Sequence, residues 1–289
     1  MKKVTILIVI LFSTISLFSQ SSNKDYPFKV EVKGTGKPIV FIPGLSSPGS
    51  VWDETVKVLE KEHVCHVLTL SGFAGEAPIK FGEAFLPKIQ AKIIEYIQEE
   101  LTEQPIIIGH SLGGFMALSI ASAEPDLLEK IVIVDAYPFY SAAMNPMATV
   151  EFVKVQAEML KKSLMTMTDE AFAAQQKIMM KSMATDAGDI SAITQWSIDT
   201  DRATMAQAMY EIMTTDLRGA VKSVKCPILV FGSWYAAKDY GITKEVIEKN
   251  FQTQFSKAAN CTIRIADTAK HFIMFDEPAW FIKNLELFL

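Results

Sequence analysis

Apolar and polar residues alternate from Phe28 to Val32, and Gly34-Thr35-Gly36 then leads into the apolar run Pro38 to Ile42. This pattern predicts a β-hairpin at a sheet edge. Val64 to Leu70 reads as another strand. Ile89, Ile93, Ile97 and Leu101 recur every four residues, which predicts an amphipathic helix ending near Gln104. Pro105-Ile106-Ile107-Ile108-Gly109 is short and wholly apolar, as a parallel strand buried on both faces should be. A helix follows it to about Glu124. Lys130 to Asp135, Pro227 to Gly232 and Cys261 to Asp267 complete the strands, with helices expected over Thr243 to Phe255 and Glu277 to Leu289. Such alternation predicts a mostly parallel sheet covered by helices.

One stretch breaks the rhythm. Between about Tyr137 and Lys222 no strand pattern occurs, and the segment reads as helical with breaks near Asn145-Pro146 and Asp186 to Asp189. Eleven of the chain's 14 methionines fall between Met144 and Met213. They serve either as filler in a plain helical insertion or as the lining of an adaptable apolar pocket, since methionine is flexible and polarizable. The neighbouring motif described below favours a cap. The expected organisation is therefore a core of residues 26–136 and 223–289 with a helical cap of residues 137–222.

The start of the chain has a different character. Lys2 and Lys3 precede Val4 to Phe18, a stretch of 15 residues with four hydroxyl side chains. A spanning helix needs about 20 apolar residues. The basic start, short apolar core and small residue before Gln20 instead predict a secretory signal peptide over residues 1–20, and hence an exported protein in the periplasm or outside the cell. No later segment is long and apolar enough to span a bilayer. The whole chain of 289 residues is 49% hydrophobic with a net charge of −5, which excludes a disordered chain. Mildly acidic and without a basic run, it lacks the footprint of a nucleic-acid partner. Cys65, Cys226 and Cys261 are too few for a disulfide framework and read as small buried hydrophobes, with one exported disulfide as the alternative.

The chemistry concentrates at Gly109-His110-Ser111-Leu112-Gly113, a G-x-S-x-G pentapeptide between a buried strand and a helix rich in small residues. In that context the serine occupies a strained strand-to-helix turn at the carboxyl edge of the sheet, where a helix N-terminus favours negative charge. A serine needs a base. Among four histidines, His110 adjoins Ser111 on the same tight turn and should point elsewhere, while His63 and His66 lie at the start of a strand and within it. His271, between the last strand and the last helix, is the expected base. An acid must hold its far nitrogen. Asp135 directly follows a strand, whereas Asp239 lies seven residues beyond Gly232, so Asp135 is favoured and Asp239 stays open. Backbone N–H groups of Leu112 and Leu45 are the expected oxyanion donors, with Gly44 permitting close approach. Gly44, His110, Tyr137, Trp234 and Phe272 are expected to line the substrate site.

At these residues the chain resembles the α/β-hydrolase family, in the branch with a helical cap after the sixth strand. The likeness runs from about Phe28 to Leu289. It is carried by Ile42-Pro43-Gly44-Leu45 through Val51-Trp52-Asp53, by Gly72-Phe73-Ala74-Gly75, by the Ser111 turn and by His271-Phe272-Ile273-Met274. It implies a mostly parallel sheet of the eight-stranded type. The chain departs from many relatives in having Pro43-Gly44 in place of His-Gly, in lacking an aspartate at Leu70-Ser71-Gly72, and in having Tyr235 where the acid usually stands. Some relatives carry the acid after the sixth strand, which matches Asp135. Serine at position 111 sets aside relatives that use an aspartate nucleophile.

The expected activity is hydrolysis of a carboxylic ester or related acyl bond, with an apolar acyl or alcohol group on a small-molecule substrate. Cleavage of a C–C bond, lactone or amide by the same residues is the alternative, and a non-catalytic binding protein a third. No cofactor, dinucleotide loop, phosphate loop or metal motif is expected.

Overall fold

The computed structural model describes residues 25–80, 82 and 84–289. The stretch 1–20, read above as an export signal, lies outside them. Seven strands form one sheet: β1 (Phe28–Gly34), β2 (Lys37–Ile42), β3 (His63–Leu70), β4 (Ile106–His110), β5 (Lys130–Val134), β6 (Ile228–Gly232) and β7 (Cys261–Ile265), in the order β1-β3-β2-β4-β5-β6-β7. β1 is antiparallel to β3 and every other pairing is parallel. The eight-stranded expectation is thus corrected to seven among the described residues.

The predicted hairpin is also corrected. β1 is an edge strand, but its partner is β3, with Phe28 opposite Leu70 and Gly34 opposite Val64. Burial explains the choice. Ile39 to Ile42 are fully buried and need a neighbour on each side, so β2 sits between β3 and β4. Gly34 and Gly36 carry the chain across the entry of β3. A Cβ at Gly34, where φ is +82°, would fall 2.3 Å from the His63 carbonyl oxygen.

Successive residues of the central strands feed opposite faces. Ile39, Phe41, Ile106, Ile108, Val132 and Val134 join one apolar layer, while Val40, Ile42, Ile107, Ile131 and Ile133 join the other. Helices α1 (Asp53–Leu59), α2 (Leu86–Glu100) and α3 (Leu112–Ala123) follow the first strands. Between β5 and β6 lie α4 (Tyr140–Met144), α5 (Val150–Thr166), α6 (Asp169–Met179), α7 (Ala187–Asp199) and α8 (Arg202–Thr214). The chain ends with α9 (Lys244–Gln254), α10 (Ile273–Asp276) and α11 (Pro278–Glu286).

Four successive helices of the insertion begin on capping side chains. Thr149, Thr168, Asp186 and Asp201 accept hydrogen bonds from Phe152, Ala171, Gly188 and Thr204 N–H groups. The insertion is also anchored to the core: the buried Glu211 carboxylate of α8 accepts from Phe85 N and Leu86 N at 2.8 and 2.6 Å, capping α2 from outside. Three of the loops at the carboxyl edge meet it. Leu45, after β2, packs against the buried cluster Leu164, Phe172, Met205 and Ala206. Gly72 O accepts from Asp201 N after β3. Past β7, Phe272 N donates to Met183 O.

The methionines do not behave as one pocket lining. Met144, Met147, Met159, Met165 and Met179 are 41–84% exposed, whereas Met205 is buried beside Leu45. The helices bury their leucine, valine, alanine and phenylalanine stripe instead. No helix among the described residues is long and apolar enough to cross a membrane.

Candidate active site

The turn at Ser111 is set by what surrounds it. Gly109 and Gly113 lie so close that a Cβ on Gly109 would fall 2.1 Å from Gly113 O, and one on Gly113 would fall 2.2 Å from Ile42 O. Only glycine permits that crossing. Ser111 takes φ 52° and ψ −116°, a conformation costing about 1–3 kcal/mol. Its own N–H is held by Val134 O at 2.8 Å, and its carbonyl accepts from Phe115 N at 3.0 Å. Leu112 begins α3, so its N–H has no partner within the helix.

Strain gathers on this rim. The non-glycine residues with positive φ among those described are Ser46, Ala74, Ser111 and Asp135, and each follows a parallel strand at the carboxyl edge. At Asp135 the φ of +50° comes with a carboxylate only 11% exposed. His271 Nδ1 donates to its Oδ2 at 2.7 Å. Ser233 encloses the same carboxylate: its N–H donates to Oδ1 at 2.7 Å and its hydroxyl to Oδ2 at 2.8 Å. With Nδ1 carrying the proton, the Nε2 lone pair of His271 is left to accept another.

Asp239 lies elsewhere. It is exposed in the short 3-10 turn Tyr235–Tyr240 and makes no hydrogen bond or ion pair with His271 among the described residues. The structure brings together Asp135 and His271.

The residues expected to line a substrate site divide. Gly44 abuts the nucleophile turn, since a Cβ there would lie 3.3 Å from Ser111 Cβ. Trp234 is half-buried and its indole donates to Asp267 O at 3.0 Å, joining the loops after β6 and β7. Tyr137 stacks on Phe251 at 4.0 Å, and burial together with the Asp135 charge drives its phenol pKa upward. His110 and Phe272 are buried, at 1% and 5% exposure, with their rings 4.6 Å apart. Of the remaining histidines, His66 is a core residue bonded to the Tyr96 hydroxyl at 2.7 Å, and burial lowers its pKa.

The loop that presents His271 is clamped from both sides. Lys270 donates through its ammonium to Lys181 O and Ala184 O, and Asp276 accepts from Thr185 N and Lys270 N. Glu277 accepts from Thr268 and Ala269. The three cysteines are free thiols, and burial pushes Cys65 and Cys261 up to about 12 and Cys226 to about 11, leaving them protonated and inert. Among the described residues no cluster of three or more His, Cys, Asp or Glu is placed to hold a metal ion.

Sequence reasoning missed Ser233. Its position directly after Gly232, at the end of the strand beside β5, was the available signal. Ser233→Ala removes one of the three hydrogen bonds to Asp135, and a hydrogen bond to a charged group is worth about 1.5–3 kcal/mol. Turnover of an ester should fall about tenfold with KM little changed. Steady-state kinetics within twofold of the parent would remove this role.

A mostly parallel sheet with a strained serine at its carboxyl rim, near a histidine bound to a carboxylate, defines a hydrolase scaffold. The alpha/beta hydrolase family model matches residues 39–284, and the chain belongs to that family. It is similar to pimeloyl-[acyl-carrier protein] methyl ester esterases: 30% identical over 115 residues to that of Vibrio atlanticus, and 24% over 201 residues to that of Aliivibrio fischeri strain MJ11. The first match spans 40% of this chain and 42% of the relative; the second spans 68% and 75%. Among solved structures, the enol-lactonase of Burkholderia xenovorans LB400 superposes with a TM-score of 0.72 at 18% identity, covering 90% of this chain and 95% of that one. The esterase EaEST of Exiguobacterium antarcticum gives 0.74 at 16%, covering 90% and 94%. At such identities the likeness is one of fold.

Proposed function

We propose that the chain is a serine hydrolase that cleaves a carboxylic ester through an acyl-enzyme on Ser111. His271 Nε2 takes the Ser111 proton as the oxygen attacks the carbonyl, then returns it to the leaving alcohol. Asp135 holds the imidazole in the required tautomer and steadies the imidazolium. Backbone N–H groups of Leu112 and Leu45 receive the oxyanion. Water activated by His271 then releases the acid. The observation that carries this reading is the 2.7 Å Asp135–His271 bond on the rim that also presents the strained Ser111.

The helical segment 137–222 acts as a cap over the core 26–136 and 223–289. In support, the buried group Leu164, Phe172, Met205 and Ala206 stands against Leu45, an apolar wall beside the oxyanion loop. An apolar acyl or alcohol group on a small-molecule substrate suits such a wall, and the relatives named as methyl ester esterases are in keeping with an ester. The basic start and short apolar run of residues 1–20 support export.

The test is a fluorophosphonate probe followed by mass spectrometry, beside a panel of short nitrophenyl esters, lactones and amides. Labelling confined to the Ser111 peptide, with esters turned over fastest, is the expected result. An unlabelled protein that hydrolyses none of the panel would reject the proposal.

A further inference from the structure

His110 is the last residue of β4, one peptide bond before Ser111, and its side chain is 1% exposed. Its Nε2 lies 3.1 Å from the main-chain oxygen of His271. A carbonyl only accepts, so Nε2 bears the proton and the ring donates. The opposite nitrogen, Nδ1, is buried against the loop after β2: a Cβ on Gly44 would fall 2.7 Å from it. The ring is held by Phe272 at 4.6 Å and by the edge of Trp52 at 6.4 Å, and it lies 4.6 Å from the His271 ring. One buried imidazole therefore touches the Gly44 loop, the nucleophile turn and the base loop at once.

We propose that His110 is a positioning residue that ties the strand carrying Ser111 to the main chain of His271 and so fixes the gap between the two. The inference rests on the triad reading given above. Ser111 and His271 are 160 residues apart in sequence, on loops after different strands, and neither loop alone sets their separation. A hydrogen bond from the residue adjoining the nucleophile to the backbone of the base sets it directly. The tether must also stay neutral when His271 takes up a proton, because a second charge in the adjoining ring would oppose the first. Burial, and secondarily the charge of His271, push the His110 pKa well below the ordinary range, which meets that need.

A residue that merely filled space here would be replaceable by phenylalanine. The test compares His110→Phe, His110→Asn and His110→Gln with the parent. Glutamine places an amide N–H near the Nε2 position; asparagine reaches only as far as Nδ1. The readouts are the rate of fluorophosphonate labelling, kcat and KM on a short nitrophenyl ester, thermal unfolding, and nitrogen-15 NMR of the histidine rings.

His110→Phe and His110→Asn should label about 10- to 100-fold more slowly with KM within about twofold, since small misplacements of reacting groups carry such costs. His110→Gln should recover to within about threefold of the parent, and NMR should find His110 protonated at Nε2. Labelling of His110→Phe at the parent rate, or glutamine no better than asparagine, would overturn the tether. So would a proton on Nδ1. If His110→Phe does not fold, the Gln–Asn contrast decides alone. Labelling that persists in Ser111→Ala overturns the triad reading instead, and the NMR tautomer then still reports on the tether by itself.

Discussion

An enzyme carrying Ser111→Ala is expected to lose ester turnover by about a millionfold, the scale on which removal of an activated serine acts. Asp135→Asn should cost about ten thousandfold. Asp239→Asn should stay within about twofold of the parent, because that side chain is exposed in a separate turn. The asparagine effect follows from proton inventory. An amide nitrogen facing Nδ1 donates to it, so the imidazole proton moves to Nε2, the very atom that must accept from Ser111. The fold need not suffer, since Ser233 can still bond the amide oxygen. Because the three side chains act as a unit, Ser111→Ala combined with Asp135→Asn should be no slower than Ser111→Ala alone. Steady-state assays on purified single and double variants check this. A fall with Asp239→Asn and none with Asp135→Asn would transfer the role of the acid.

Gly113→Ala is expected to cost about 3 kcal/mol or more of stability, at the upper end of overpacking effects. The added carbon would sit 2.2 Å from Ile42 O and 2.7 Å from both Ile42 C and Pro43 O. All three are backbone atoms of a central strand and the loop after it, so no flexible side chain can yield. Any relief must move α3 away from β2, which also separates Leu112 from Leu45. Urea unfolding should show the loss, and the folded fraction should label poorly with a fluorophosphonate. Gly219→Ala is the matched control: nothing lies within 4 Å of the added carbon, and its φ is negative. That variant should change stability by no more than about 0.5 kcal/mol.

Much of the scaffold is written in local pattern. Ile106 to Ile108 announce a strand buried on both faces, and the pentapeptide around Ser111 announces the turn that follows. The all-helical character of the insertion is legible too, although Thr168 and Asp201 were not read as the caps that start two of its helices. What is not legible is mostly non-local. Alternation in β1 marks an edge strand but carries no information on its neighbour. That was decided by β2, whose burial on both faces demands two partners. The choice between Asp135 and Asp239 resisted for a related reason: both follow strands at one edge, and sequence distance does not encode the φ of +50° that turns Asp135 toward His271. Methionine leaves filler and pocket lining undivided, because composition says how many there are and not which way they face.

The clamp on the His271 loop constrains how the molecule can breathe. Segment 181–185 is joined to that loop by Lys270 to two carbonyls, by Phe272 N to Met183 O and by Thr185 N to Asp276. A rigid swing of the whole insertion would drag the imidazole off its carboxylate. The imidazole and segment 181–185 are therefore bound to travel as one body, with 181–185 serving as a fixed doorpost.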